Sequence, residues 1–227
     1  MYNVVYTHWT DNGKRLFANF KDEDLFLKLA KLSINSTRNY PTYVYTDFDG
    51  REYLSKHLKG VTFILQEYNI PHGFWNLPKL QTYSQQNAPF LHVDLDCYFK
   101  EPLEIEDSEI ITEGIRIHDL PQKFMRHFGM TFNKPLQIIC SGILGGNRVD
   151  VFKSLYIMAL NYLQGFNIEP VTYQHLITLE EILLTELVKN LQIKKVKTSF
   201  NHLQRDARQF SYRIDEVEKD FKEYALK

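Results

Sequence analysis

Cysteine is scarce: Cys97 and Cys140 are the only two, and they form no CxxC pair. That argues against a disulfide framework and for a reducing compartment. No GxSxG segment occurs, and no cysteine and histidine pair by sequence, so hydrolase chemistry on serine or cysteine is not expected. Runs of about 18 or more apolar residues are missing, as is a basic start leading into an apolar stretch. No transmembrane segment is expected, and the chain is expected to be cytoplasmic. Net charge is nearly absent, −1, which gives no pull toward nucleic acid or an anionic membrane. Internal repeats, low-complexity tracts and Gly/Ser linkers are also lacking. The 227 residues are therefore expected to form a single domain.

What is present is a large apolar share, 44%, with 14% aromatic residues. The first half alternates two periodicities. Asn3 to His8 reads as a buried strand. Asp22 to Ile34 places Leu25, Phe26, Leu29, Ala30 and Leu32 largely on one helical face. Thr42 to Thr46 reads as a strand, Asp47-Phe48-Asp49-Gly50 as a turn, Arg51 to Leu58 as a short helix and Val61 to Leu65 as a strand. Pro71-His72-Gly73 and Pro78 bracket a loop, a helix runs from about Lys79 to Gln86, and Phe90 to Val93 is a fully apolar strand. Strand and helix in strict alternation predict an α/β fold with a mostly parallel sheet flanked by helices. Ligands of such sheets bind beyond the carboxyl ends of the strands.

The second half is less regular. Ile110 to Thr112 and Leu136 to Ile139 read as strands, and Val151 to Leu163 and Thr178 to Leu191 as helices. From about Ile214 the tail has the apolar spacing of a docked amphipathic helix.

Phe90-Leu91-His92-Val93-Asp94-Leu95-Asp96 is the sharpest feature: an apolar strand that ends in two carboxylates separated by one residue. Hard divalent cations take oxygen ligands and share them with phosphate. Two carboxylates at the mouth of a sheet can thus hold Mg²⁺ or Mn²⁺ against a diphosphate and assist its departure. Carboxylates after strands also cap turns.

Phe90 to Leu103 resembles the DxD segment of bacterial glycosyltransferases of the GT-A type, in which a Pro-Leu follows the acids. Other segments resemble that family in the same order. Tyr6-Thr7-His8-Trp9 ends the first strand, where the family binds base and ribose. Lys79 resembles a basic residue that contacts donor phosphate or sugar. Ser141-Gly142-Ile143-Leu144-Gly145-Gly146-Asn147 resembles the segment beside the donor sugar. Leu179-Glu180-Glu181-Ile182 resembles a helix start whose acid faces the active site. The resemblance spans roughly residues 1 to 190 and implies a single GT-A domain, with a nucleotide-binding half over 1–103 and a donor-sugar and acceptor half over 104–227. It further implies a nucleotide-sugar donor, a UDP-sugar, a glycan or lipid-linked acceptor, and Mn²⁺ or Mg²⁺ as cofactor. Asp94 and Asp96 would hold the metal. Tyr6, Thr7, His8, Trp9, Asp47, Lys79, Asp94, Ser141 and Gly142 would bind the nucleotide-sugar, and Glu180 would be catalytic.

Each residue also has a plainer task. Trp9 can anchor a strand end, Asp47 can open the Asp-Phe-Asp-Gly turn, and Lys79 can face solvent. Gly142, Gly145 and Gly146 allow close backbone approach to a ligand and also serve tight turns. Thr178-Leu179-Glu180-Glu181 has capping-box spacing, which gives Glu181 to the helix terminus and leaves Glu180 for substrate. His118 and His127 lack ligand spacing, and Lys194, Lys195 and Lys197 read as a solvated stretch. Cys140 stands where the family has Asn, and Glu181 where it has Gln. No tail histidine stands in the setting of the family's third metal ligand. Two alternatives share the fold: a nucleotidyltransferase, and a GT-A-like binding or scaffold protein without turnover. A haloacid-dehalogenase-type phosphatase fits poorly, since its DxD opens the chain.

Overall fold

The computed structural model describes residues 1–11, 13, 22–68, 76–118, 136–164, 173–202 and 210–225. The Pro71-His72-Gly73 loop and His127 lie outside them. In chain order the first elements are β1 (Asn3–His8), α1 (Glu23–Ser36), β2 (Thr42–Thr46), α2 (Phe48–Leu54), β3 (Thr62–Leu65), α3 (Leu77–Ser84), β4 (Phe90–Val93) and β5 (Cys97–Phe99). Next come β6 (Ile110–Thr112), β7 (Ile115–His118), β8 (Leu136–Ile139), β9 (Ile143–Gly146) and α4 (Val149–Gln164). The last are α5 (Tyr173–Val188), β10 (Ile193–Lys195), β11 (Phe200–His202) and α6 (Phe210–Ala225). The fold is mixed α/β with a mostly parallel seven-stranded sheet. Among the described residues no helix is long and apolar enough to cross a membrane. The chain divides into two compact units: residues 1–68, 91–106 and 197–227 form the first, and 69–90 with 107–196 the second.

In the first unit the strand order is β4-β1-β2-β3, with β1 parallel to β2 and β2 parallel to β3. Val4, Val5, Tyr6 and Val44 are fully buried, as the apolar run of a parallel strand requires. Helix α1 starts at Asp22, whose side chain accepts from the Asp24 and Leu25 amides at 2.9 and 3.2 Å, a side-chain N-cap. Its inner face, Leu25, Leu29 and Leu32, packs with Tyr98 of β5 and Val217 and Phe221 of α6. Burial of each such leucine contributes about 1.5–3 kcal/mol. The tail is thereby a docked helix, as its spacing predicts.

In the second unit β10 runs parallel to β6, and β6 antiparallel to β9. Strands β7 and β8 pair as a separate antiparallel ribbon. Tyr83, Phe90 and Phe152 meet in a three-ring cluster with centroids 4.8 to 5.8 Å apart.

β1, β2, β4, β6 and β8 lie at the predicted residues. Two helix starts differ from expectation. The stretch Asp47 to Gly50 is not a free turn: Asp47 is the N-cap, and α2 begins at Phe48. Helix α5 begins at Tyr173, well before Thr178. The short strands β5, β9 and β11 carry no periodicity a sequence reading could use, and the apolar-polar alternation of β7 lasts only four residues.

Gly50 sits where the ends of β1 and β2 meet α2. A Cβ on it would lie 2.1 Å from Thr46 Oγ1 and 2.7 Å from His8 Nδ1. Gly50→Ala is expected to lower stability by about 1–3 kcal/mol, the range for overpacking. Urea denaturation checks this; an unchanged midpoint would mean that the site opens without cost.

Candidate metal centre

Strand β4 is buried throughout and delivers the two carboxylates at its carboxyl end. The Cys97 amide donates to the Asp94 carbonyl at 2.9 Å, closing a tight turn over Asp94-Leu95-Asp96-Cys97. The turn separates the two acids. Asp94 keeps a side chain 29% exposed, with Oδ1 3.6 Å from His92 Nδ1. Asp96 points inward and is 5% exposed. His92 is itself buried, and its Nε2 lies 3.1 Å from Thr7 Oγ1, which sets the ends of β4 and β1 side by side.

The chain then enters β5, whose antiparallel partner is β11: Cys97 faces His202, Tyr98 faces Asn201, and Phe99 faces Phe200. Directly opposed residues share a face of the ribbon. His202 Nε2 therefore comes to 3.9 Å from Asp96 Oδ2. The donor atoms of Asp96, Cys97 and His202 all lie within 4.8 Å of one another. Asp96 Oδ2 is buried and accepts no hydrogen bond among the described residues. A buried carboxylate oxygen in that state is costly unless an ion or an ordered water satisfies it. A carboxylate oxygen and an imidazole nitrogen are both donors that a divalent ion accepts, so the residues present fit a metal. One expectation is corrected: a tail histidine, His202, does stand beside the second acid of the DxD segment. The cluster draws on Asp96, while the Asp94 carboxylate faces His92.

The ribbon is held from both sides. Tyr98 Oη donates to Asp220 of α6 at 2.6 Å, and Asn201 Nδ2 donates to Tyr98 Oη at 2.7 Å. Burial, then the Asp220 carboxylate, pushes the Tyr98 phenol well above its ordinary range, so it stays a donor. The Phe99 amide donates to Ser36 Oγ of α1 at 3.1 Å.

The other sequence candidates of the first unit divide by task. Tyr6 is fully buried; its hydroxyl donates to the Ser33 carbonyl at 3.0 Å and lies 2.9 Å from Thr37 Oγ1. Burial pushes that phenol far up, and it fastens β1 to α1. His8 is buried and stacks on Phe26 with centroids 5.5 Å apart. Trp9 is half-buried just beyond β1. Asp47 engages both oxygens: Oδ1 accepts from the Gly50 amide at 2.9 Å, and Oδ2 from the Thr10 amide and hydroxyl, each at 2.8 Å. It ties the end of β1 to the start of α2.

In the second unit Lys79 Nζ donates to the Ser141 carbonyl at 2.6 Å, so the lysine is not a free solvent-facing charge. Ser141 and Gly142 are buried. Gly146, at φ +141°, lies so close to the Glu109 carbonyl that a Cβ would sit 2.0 Å from its oxygen. Its close approach is to backbone. Glu180 and Glu181 are both buried and lie inside α5, not at its start, so the capping-box assignment is overturned. Glu181 instead accepts from Arg116 Nη2 at 2.6 and 2.8 Å. Burial opposes the Arg116 charge, but the Glu181 carboxylate outweighs it and raises the guanidinium above its usual range.

Compared with known proteins, the sequence model of a family described as of unknown function matches residues 2–226. No curated protein matches the chain.

The Arg116–Glu181 pair yields a stability prediction. Removing one partner of a fully buried pair costs about 3–5 kcal/mol; Arg116 is 33% exposed, so about 1–3 kcal/mol is expected for Glu181→Ala after solvent screening. A double-mutant cycle with Arg116→Met should return a coupling of about 0.5–3 kcal/mol. Additive single effects would show that the pair is incidental.

Proposed function

We propose that this chain, which belongs to DUF6734, a family of unknown function, is a metal-dependent glycosyltransferase of the GT-A type. It moves a sugar from a nucleoside-diphosphate sugar, a UDP-sugar, to a glycan or lipid-linked acceptor. One observation carries the reading: a buried carboxylate oxygen of Asp96 and the imidazole of His202, far apart in sequence, stand 3.9 Å apart beyond the carboxyl end of β4. Enzymes with parallel sheets bind their ligands at that edge, and the order of motifs in the sequence points the same way.

Asp96 and His202 would hold a divalent first-row ion such as Mn²⁺. An ion held there would offset charge on the departing nucleoside diphosphate. Asp94, more open than Asp96, receives the ribose or an outer ligand of the ion. His92 stands beside Asp94, with Nδ1 3.6 Å from Oδ1, and Thr7 lies 3.1 Å from its other ring nitrogen. Trp9, half-buried at the end of β1, offers a face to the base. Asp47 braces the loop after β1, its oxygens already taken by Thr10 and Gly50. Glu180 serves the donor sugar or the acceptor hydroxyl as a carboxylate on a helix, a setting more rigid than a loop.

Two measurements test the reading. Asp96→Asn and His202→Ala should each weaken UDP binding in the presence of Mn²⁺ by about 10-fold or more, the scale of a disturbed metal site, with circular dichroism unchanged. Calorimetry that finds UDP binding intact in both would sink the assignment. Glu180→Gln should slow sugar transfer by about 10²-fold, the loss expected for a general base. Full transfer activity in that variant would remove Glu180 from the chemistry.

A further inference from the structure

Resting on the reading that Asp96 and His202 hold a divalent ion, we propose that Cys97 is a third ligand and sets which ion the site takes. Cys97 is fully buried. It follows Asp96 in the chain and faces His202 across the β5–β11 ribbon, so its side chain shares the face that the imidazole occupies. Its sulfur lies within 4.8 Å of both other donor atoms. Donor atoms on one tetrahedral ion stand about 3.3–3.6 Å apart at usual bond lengths. A small inward shift of the histidine and the thiol therefore brings all three donors onto one ion, with the fourth position left to solvent or substrate.

The donor set then differs from that of a carboxylate site. One oxygen, one nitrogen and one sulfur suit Zn²⁺ or Co²⁺, whereas Mg²⁺ seeks oxygen ligands in octahedral array. On binding, the metal–sulfur bond forms as the thiol proton leaves to solvent, so uptake releases a proton. The thiolate makes the site discriminate for a thiophilic first-row ion against Mg²⁺. Asp96 Oδ2, buried and without a hydrogen bond among the described residues, is the second and independent sign that a cation belongs here.

The test is titration of the whole chain with Co²⁺ alone, followed by absorption spectroscopy. Wild type should show ligand-field bands in the visible and a sulfur-to-cobalt charge-transfer band in the near ultraviolet. Cys140→Ser, which alters the other cysteine, should keep both. Cys97→Ser should keep the visible bands, lose the charge-transfer band, and weaken Zn²⁺ relative to Mg²⁺ by more than about 100-fold, beyond the loss from an outer-shell partner. The wild-type spectrum decides even if Cys97→Ser fails to fold. Cobalt bound without a charge-transfer band would overturn the role of Cys97 and leave the Asp96–His202 reading standing. No cobalt binding at all would overturn both.

Discussion

The pairing of β5 with β11 is the constraint on which the candidate site depends. Three cross-strand pairs, Cys97–His202, Tyr98–Asn201 and Phe99–Phe200, join the segment after the DxD acids to a segment near the end of the chain. A ribbon of three residues per strand is marginal by itself. It persists because Phe99 meets Phe200 edge to face, the Phe99 amide is held by Ser36 of α1, and Tyr98 is held by Asp220 of α6. Helices α1 and α6, packed through Leu25, Leu29, Leu32 and Val217, thus fix the position of an imidazole that lies outside either helix. Slippage of that ribbon by one residue would turn His202 to the opposite face.

Much of this was legible in the sequence, and the part that was not has a physical reason. β4 could be read because Phe90, Leu91 and Val93, interrupted only by His92, lead into two carboxylates, a local pattern. Helix α1 could be read because Asp22 caps it and the leucines repeat at helical spacing. His202 could not be read by motif. Its strand is too short for periodicity, and its meaning comes from a partner far away in the chain. The available signal was weaker: a histidine two residues after Phe200, in a stretch ahead of an amphipathic helix. Glu181 shows the opposite error. Thr178-x-x-Glu181 has the spacing of a capping box, but that spacing also occurs inside a helix already under way, and α5 starts at Tyr173. Tertiary pairing with Arg116, not a helix end, determines what Glu181 does.

The same division separates fastening residues from residues available to a ligand. Tyr6 and Asp47 have sequence positions suited to base and ribose, yet their polar atoms close contacts within the fold. Asp96 differs, since its buried oxygen finds no hydrogen-bond donor among the described residues. Strands that end together at one sheet edge need fastening residues, because an edge left loose would not hold a side chain to the tolerance that a binding site demands.

The first unit is assembled from three stretches of chain, with residues 107–196 of the second unit intervening before the last of them. Asp96 therefore leaves the ribosome well ahead of His202. Domains gain structure as they emerge, and contacts between distant segments form late. A partly synthesised chain carries the acid without the imidazole and without α6 to support the ribbon. The approach of His202 to Asp96 therefore forms only after the stretch that carries β11 and α6 has been made.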